Sequence, residues 1–295
     1  MRAEHGDGAL RRLGAALDRR WARSARPSRG EEIELAAGRL RVRRGGGPDG
    51  VPVVVVPDPP NVVEHYDGVF DALAAGGPVA VVEAPGFGFS APREGARYRI
   101  EELSSALEEL LLRIGFRGAT LSLACVGAFA AVDLAARRPD LVGRLVLSQV
   151  ASRREMASWV RRKDVCGVIQ APLLGPVAVR AARRRIARWW YRAALPPGAD
   201  PGPFAAPALA ALRAGAAFPL ASAFQEFARF PGDRLRPACP VTVLLGTADP
   251  THAGTELGSV AEELPGARVL VFPRSGHFPD LENPGEWLAA LRAPA

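Results

Sequence analysis

The spacing of apolar residues switches between helical and strand-like periods along the chain, and the switches divide it into three parts. Residues 5–24 place Leu10, Leu13, Leu17 and Trp21 at helical spacing with arginines on the opposite side, which predicts an amphipathic helix. This helix is expected to dock on the rest of the protein. A membrane-surface helix is the alternative, disfavoured by the narrow apolar face. Residues 26–30, with Pro27 and Ser28, read as a linker. From Glu32 onward short strands and helices alternate. Residues 33–35 and 40–43 predict a hairpin around Gly38, and 51–56 and 79–82 are β-branched runs of the kind found in strands buried on both faces. Residues 101–114 put Leu103, Leu107, Leu110 and Leu111 at helix spacing, followed by a strand at 120–123, a helix at 128–138 and a strand at 145–147.

The alternation stops near Ser152. Residues 153–230 are helical in composition, broken at Pro172, Pro176 and the prolines of 196–207. It resumes with a strand at 241–245, a helix near 255–263, a strand at 269–272 and a last helix around 287–291. Strand after helix after strand predicts a mostly parallel sheet flanked by helices. The expected organisation is a basic helix or arm over 1–30, an α/β core over 31–152 and 231–295, and a helical insertion over 153–230, after the sixth predicted strand. No internal repeat is visible, and no CxxC or HExxH spacing points to a metal.

Composition narrows the picture. With 295 residues, 48% hydrophobic and 23% charged, the chain is neither a disordered tail nor a disulfide-stapled miniprotein. Its three cysteines, Cys125, Cys166 and Cys239, cannot all pair, and a reducing cytoplasm is the expected compartment. No signal-peptide pattern opens the sequence, and no apolar run approaches the ~20 residues that span a bilayer. The net charge of +7 raises acidic partners, yet Lys163 is the only lysine and every other basic residue is arginine. Together with abundant Gly, Pro and Ala, this looks like GC-rich coding rather than a nucleic-acid surface. The charge is also local. Residues 153–192 carry eleven basic residues against Glu155 and Asp164, so the positive charge belongs mainly to the insertion and the N-terminal arm.

Three places could carry chemistry. Cys125 lies between a predicted strand and a helix, where a sharp turn presents a side chain and the helix N-terminus favours a thiolate. Small neighbours suit such a turn, and Gly127 and Ala128 follow. The alternative is a buried structural cysteine. Asp249 ends the strand at 241–245, where a carboxylate can orient an imidazole, and His277 sits in the loop after the last strand. A lone histidine is usually structural. The order nucleophile, acid, base at strand ends is far more specific, because such ends converge on one rim of a parallel sheet.

On these residues the chain resembles the α/β-hydrolase superfamily. Glu83, Pro85, Gly86, Gly88 and Ser90 are similar to its D-x-P-G-x-G-x-S segment. Gly276, His277, Glu282 and Pro284 are similar to its G-H-x-x-x-x-E-x-P segment. The resemblance implies an α/β-hydrolase fold with an inserted helical cap, Cys125 as nucleophile, His277 as base and Asp249 as its orienting acid. It departs from the family in three ways. Cysteine is the minority nucleophile. Leu123 stands where glycine is usual, so the turn is expected to relax or the cavity to be reshaped. The segment Pro57, Asp58, Pro59 and Pro60 replaces the H-G-x-P loop. Val126 and the loop residues Asp58 and Pro59 are thereby expected at the oxyanion hole, but proline has no N–H to donate. One lost oxyanion donor costs ~10²–10³ in rate.

The expected function is therefore a cofactor-independent enzyme with a Cys-His-Asp triad. It would act on an apolar, carbonyl-containing ester, thioester or enone-like metabolite by hydrolysis or acyl transfer, in specialised-metabolite biosynthesis. A non-hydrolytic reaction (C–C bond formation, conjugate addition or elimination) is the alternative because of Pro59, and a non-catalytic binding protein is a third. The insertion supplies Trp159, Trp189, Trp190, Tyr191, Phe218, Phe224, Phe227 and Phe230; of these Trp159, Trp189, Trp190 and Phe224 are expected to contact substrate. His65 is expected on a solvated helix face. No cofactor, metal, nucleic acid or membrane is expected; the partner is a small apolar molecule, aromatic or carrier-bound.

Overall fold

A computed structural model describes residues 2–25, 30–164 and 166–293, with side chains from residue 8 onward. Most of the linker predicted at 26–30 lies outside the described residues. One sheet organises the chain. Its strands are β1 (Glu31–Leu35), β2 (Gly38–Gly45), β3 (Val53–Val55), β4 (Val79–Val82), β5 (Ala91–Pro92), β6 (Ala119–Ala124), β7 (Val142–Ser148), β8 (Val241–Gly246) and β9 (Arg268–Phe272). The spatial order is β1-β2-β4-β3-β6-β7-β8-β9, with β5 beside β2. β2 is antiparallel to β1, β4 and β5, and every other pairing is parallel. β4 and β6 are buried at every position, which explains their unbroken apolar runs. β3 is shorter than its valine run because Val51 is exposed before the sheet begins.

Helices α2 (Phe70–Ala74), α3 (Ile100–Ile114), α4 (Ala128–Arg137), α9 (Val260–Glu263), α10 (Pro279–Glu282) and α11 (Pro284–Arg292) cover the two faces. α3 buries Leu107, Leu110 and Leu111 against α4 and stops at Gly115, whose φ of 75° suits glycine at a helix end. Between β7 and β8 come α5 (Arg153–Arg162), α6 (Leu174–Ala194), α7 (Gly202–Arg213) and α8 (Leu220–Arg229). α5 starts at Ser152, whose hydroxyl accepts the Glu155 N–H. Among the described residues no helix is long and apolar enough to cross a membrane.

The N-terminal helix α1 (Arg2–Ser24) packs on α6 and α8 and on β5. It does so with a different face from the one its leucines mark. Leu10 and Leu13 are 46% and 49% exposed, whereas Gly14, Ala15, Asp18 and Ala22 are buried. The close approach explains the choice: a Cβ on Gly14 would stand 2.8 Å from the Pro172 carbonyl. Small residues let the backbones meet where leucines would hold them apart.

Asp18 is thereby buried and accepts a 2.7 Å hydrogen bond from Ser222 on α8. Burial pushes its carboxyl up to about 7, although Ser222, Arg180 and Arg19 pull the other way. A folded-state value above the unfolded one gives stability that is complete in acid and lost as the pH rises through about 7. Asp18→Asn, which keeps the acceptor and stays neutral, should remove this dependence. Between pH 4 and 8 the wild type should lose roughly 2–4 kcal/mol more stability than the variant. Denaturant midpoints at the two pH values check this, and parallel pH profiles would refute it.

Candidate active site

Four strands of the parallel sheet end at one place. Asp58 follows β3, Cys125 follows β6, Asp249 follows β8 and His277 follows β9. Cys125 has φ +53°, a left-handed conformation that a non-glycine residue adopts only when its surroundings force it. A short 3-10 turn over Cys125–Gly127 then feeds α4, whose Ala128, Ala130 and Ala131 are fully buried. Leu123 does not relax this turn. It is 2% exposed and its side chain joins the cavity wall instead. Nor does packing demand glycine at 127, where an added Cβ would meet nothing within 4 Å.

Asp249 is held at both oxygens. Oδ1 accepts the Thr251 backbone N–H at 2.7 Å and its hydroxyl at 2.6 Å, and Oδ2 accepts from Gln149 Nε2 at 2.8 Å. His277 Nδ1 stands 2.7 Å from Oδ2. The His277 loop is wedged tightly: a Cβ on Gly246 would lie 2.0 Å from the Gly276 carbonyl, and one on Gly276 would lie 2.3 Å from the Ala194 carbonyl. His277 donates its backbone N–H to that Ala194 carbonyl at 2.7 Å, tying the loop to the end of α6. Glu282 accepts the N–H groups of Gly276 and Phe278, which is the physical reason for an acid five residues after the histidine.

The other imidazole nitrogen faces a second carboxylate. His277 Nε2 is 3.2 Å from Asp58 Oδ2, and the Cys125 sulfur lies within 4.8 Å of the imidazole. Burial opposes a charge on His277, but Asp249, Asp58 and Cys125 together raise its pKa well above the usual histidine range. Two carboxylates thus flank the ring and favour its charged form. Burial raises the Asp249 pKa, but the charge of His277 and their hydrogen bond outweigh it and hold the group well below the usual carboxylate range.

Cys125 differs from expectation. Burial and the charge of Asp58 push its thiol up, and the nearby His277 and Val126 N–H only partly offset them. The helix N-terminus therefore does not make a resting thiolate. Cys125 is a thiol.

Three residues with no motif of their own complete the site. Gln149, with φ +49° just after β7, bonds Asp249 and both backbone groups of Gly246, including its N–H at 2.7 Å. Thr251 carries the second oxygen of Asp249. His252 is 4% exposed and stacked between Trp159, at 4.9 Å, and His277, at 5.2 Å. Neither of its ring nitrogens has a hydrogen-bond partner, and burial with the charge of His277 lowers its pKa to about 3. The short spacing of Thr251 and His252 from Asp249 was the one available signal. His65 is not on a solvated face. It is half-buried, with Nε2 2.8 Å from the Phe204 carbonyl and its ring stacked on Tyr191.

Cys125, Val126, Asp58 and Pro59 open on a cavity of about 480 Å³. Trp159, Trp189, Trp190 and Phe224 of the insertion all line it, as do Phe218 and Phe227. Trp189 does so from the rim, 57% exposed. Trp159 also braces the acid loop, donating its Nε1–H to the Thr251 carbonyl at 2.8 Å. Tyr191 and Phe230 take other roles: Tyr191 is fully buried with its hydroxyl on Asn61, and Phe230 is 42% exposed under Arg99. On α6 the side chains of Arg184, Arg185, Arg188 and Arg192 are exposed.

Cys125, His252 and His277 bring a thiol sulfur and two imidazole nitrogens within 4.8 Å of one another, a donor set suited to zinc-like ions. Both nitrogens of His277 are already engaged by carboxylates, so an ion there would have to displace Asp58.

No protein-family model matches the chain, and no curated protein matches it in sequence. Solved structures do match. Epoxide hydrolase A from Mycobacterium thermoresistibile is 19% identical with a TM-score of 0.70, covering 89% of this chain and 96% of that one. A thermophilic esterase from Thermogutta terrifontis is 20% identical with a TM-score of 0.68, covering 89% and 97%. The enol-lactonase from Burkholderia xenovorans LB400 is 17% identical with a TM-score of 0.66, covering 88% and 98%. TM-scores of 0.66–0.70 over nearly nine-tenths of the chain establish the architecture: the chain has the α/β-hydrolase fold.

Proposed function

We propose that this protein is a cofactor-independent enzyme that acts on an apolar, carbonyl-containing small molecule with Cys125, His277 and Asp249. The observation that carries this reading is His277 held by Asp249 at 2.7 Å with the Cys125 sulfur within 4.8 Å of the same imidazole, at the edge of an apolar cavity that Cys125 lines. Asp249 fixes the ring and its charge. When Sγ adds to the β-carbon of an enone, His277 passes its Nε2 proton to Asp58 and takes the thiol proton, the C=C π pair moves to the α-carbon as an enolate, and the Asp58 proton then returns to that α-carbon. The insertion over 153–230 acts as a cap that presents aromatic faces to a flat substrate.

Two readings of the reaction remain, and they predict different charges. The esterase and lactonase among the similar structures favour hydrolysis or acyl transfer, which passes through an oxyanion. Two features here favour a non-hydrolytic reaction instead. Pro59 has no N–H for the oxyanion, and the Asp58 carboxylate in the same loop would repel it. Conjugate addition to an enone puts the developing charge on an enolate oxygen remote from the carbon that Sγ attacks, and we favour non-hydrolytic chemistry (addition, elimination or C–C bond formation).

The test uses an aromatic enone and a Cys166→Ala, Cys239→Ala background, because Cys166 is exposed and would label on its own. Intact-protein mass spectrometry should show one adduct at Cys125, forming ~10²–10⁴ times more slowly in His277→Ala. Labelling that ignores His277, or no labelling at Cys125, would leave a binding protein with a vestigial site.

A further inference from the structure

Among 38 basic residues the chain has one lysine, and that lysine lines the cavity. Lys163 follows α5 directly and is half-buried. Its ammonium stands 5.7 Å from the ring centroid of Trp159, the side chain that braces the acid loop. Among the described residues no carboxylate lies within ion-pair distance of it, although its neighbours Arg161 and Arg162 are both tied into hydrogen bonds. Every other basic side chain of the chain is arginine. Lysine differs in being able to lose its proton and present a nucleophilic lone pair. Burial lowers the Lys163 pKa, with Arg162 adding to the effect and Asp249 and Cys125 opposing it. The neutral amine is therefore easier to reach here than on an open surface.

We infer that Lys163 is a catalytic amine that condenses with the carbonyl carbon of an aldehyde or ketone held in this cavity. The inference rests on the reading of the cavity as a site for apolar carbonyl compounds, and it narrows the substrate from carbonyl compounds in general to aldehydes and ketones. The neutral Nζ adds to the carbonyl carbon, the C=O π bond breaks, and a proton moves from nitrogen to oxygen to give a carbinolamine. Its hydroxyl leaves with one added proton as water, and an iminium remains. Loss of an α-proton to Asp58 gives an enamine that can attack or eliminate, and water then hydrolyses the product iminium and restores the amine. After the proton moves, the carbinolamine is neutral and the iminium positive, so no anion persists at the reacting centre. The Asp58 carboxylate and the absent donor at Pro59, which work against an oxyanion, suit a cation. An ester would instead acylate the amine irreversibly, which is why the class is aldehydes and ketones.

Because no other lysine exists, the N-terminal amine is the one competing primary amine. The full-length protein is incubated with 6-methoxy-2-naphthaldehyde and cyanoborohydride at neutral pH, and adducts are mapped by peptide mass spectrometry. Lys163 should trap at least tenfold faster in the folded protein than in the same chain unfolded in guanidinium chloride, and the folded Lys163→Arg variant should lose that adduct. Trapping no faster than in the unfolded chain, or an adduct confined to the N-terminal amine, overturns the proposal. The enone labelling of Cys125 is scored in parallel. Labelling that depends on His277 without trapping at Lys163 removes the amine alone, whereas trapping without such labelling removes the Cys125–His277 reading and leaves the amine.

Discussion

Asp249→Asn should slow the His277-dependent alkylation of Cys125 by about 10⁴, the scale seen when a triad acid becomes an amide. The contacts of this carboxylate all require an acceptor. Oδ1 takes two hydrogen bonds from Thr251, and Oδ2 takes one from Gln149 and one from His277. An amide has one oxygen, so in either orientation its NH₂ confronts donors. The orientation that spares Thr251 turns NH₂ toward His277 Nδ1 and forces the ring into the other tautomer, with its proton on Nε2 and no base facing Sγ. The imidazolium also loses the stronger of its two stabilising charges. Second-order labelling rates with the enone check this, alongside melting curves that show the variant is folded. A loss below tenfold in a folded variant would mean that Asp249 does not control the protonation of His277.

Asp58→Gly combined with Pro59→Gly should bring ester hydrolysis up by ~10²–10³ over the wild type. The double variant supplies a backbone N–H where proline has none and removes the carboxylate that would repel an oxyanion. Cys125, the Val126 N–H, His277 and Asp249 stay in place. An aryl hexanoate suits the apolar cavity, and release of the phenol can be followed directly. His277 would then lose its second carboxylate and act as an ordinary base for the thiol. A folded double variant no faster than the wild type would mean that the loop after β3 does not decide between hydrolysis and other chemistry.

Parts of the site were legible because they are local in sequence. The strand ends that carry Cys125, Asp249 and His277 follow from the alternation of buried strands with helices, and their convergence follows from parallel pairing. The Glu282 bonds to Gly276 and Phe278 span a few residues, so the motif and the contact are the same thing. The aromatic supply of the insertion was visible too, because bulky apolar residues must be buried or face a cavity. The four expected to meet substrate, Trp159, Trp189, Trp190 and Phe224, line the cavity with Phe218 and Phe227, whereas Tyr191 and Phe230 take other places.

The N-terminal helix shows the limit of periodicity. Spacing shows which residues share a face, but the surface that a face meets lies elsewhere in the chain. Leucines mark one side of α1, yet Gly14 and Ala15 are buried because α6 approaches too closely for larger side chains. Asp58 illustrates the same limit at the site. It was expected near an oxyanion hole, but its charge became decisive only with His277 Nε2 at 3.2 Å.

By itself, the sequence determined the alternation of strands and helices, the order of nucleophile, acid and base, and the proline at residue 59, all set by short-range periodicity and local backbone chemistry. Only the tertiary structure decided the protonation of the site. Charge states depend on desolvation and on neighbours brought together from distant strand ends. The fold buries His277 between Asp249 and Asp58, raises the Cys125 thiol pKa, leaves the His252 nitrogens without a hydrogen bond, and sets the one lysine of the chain in the lining of the cavity that Cys125 and Asp58 also line.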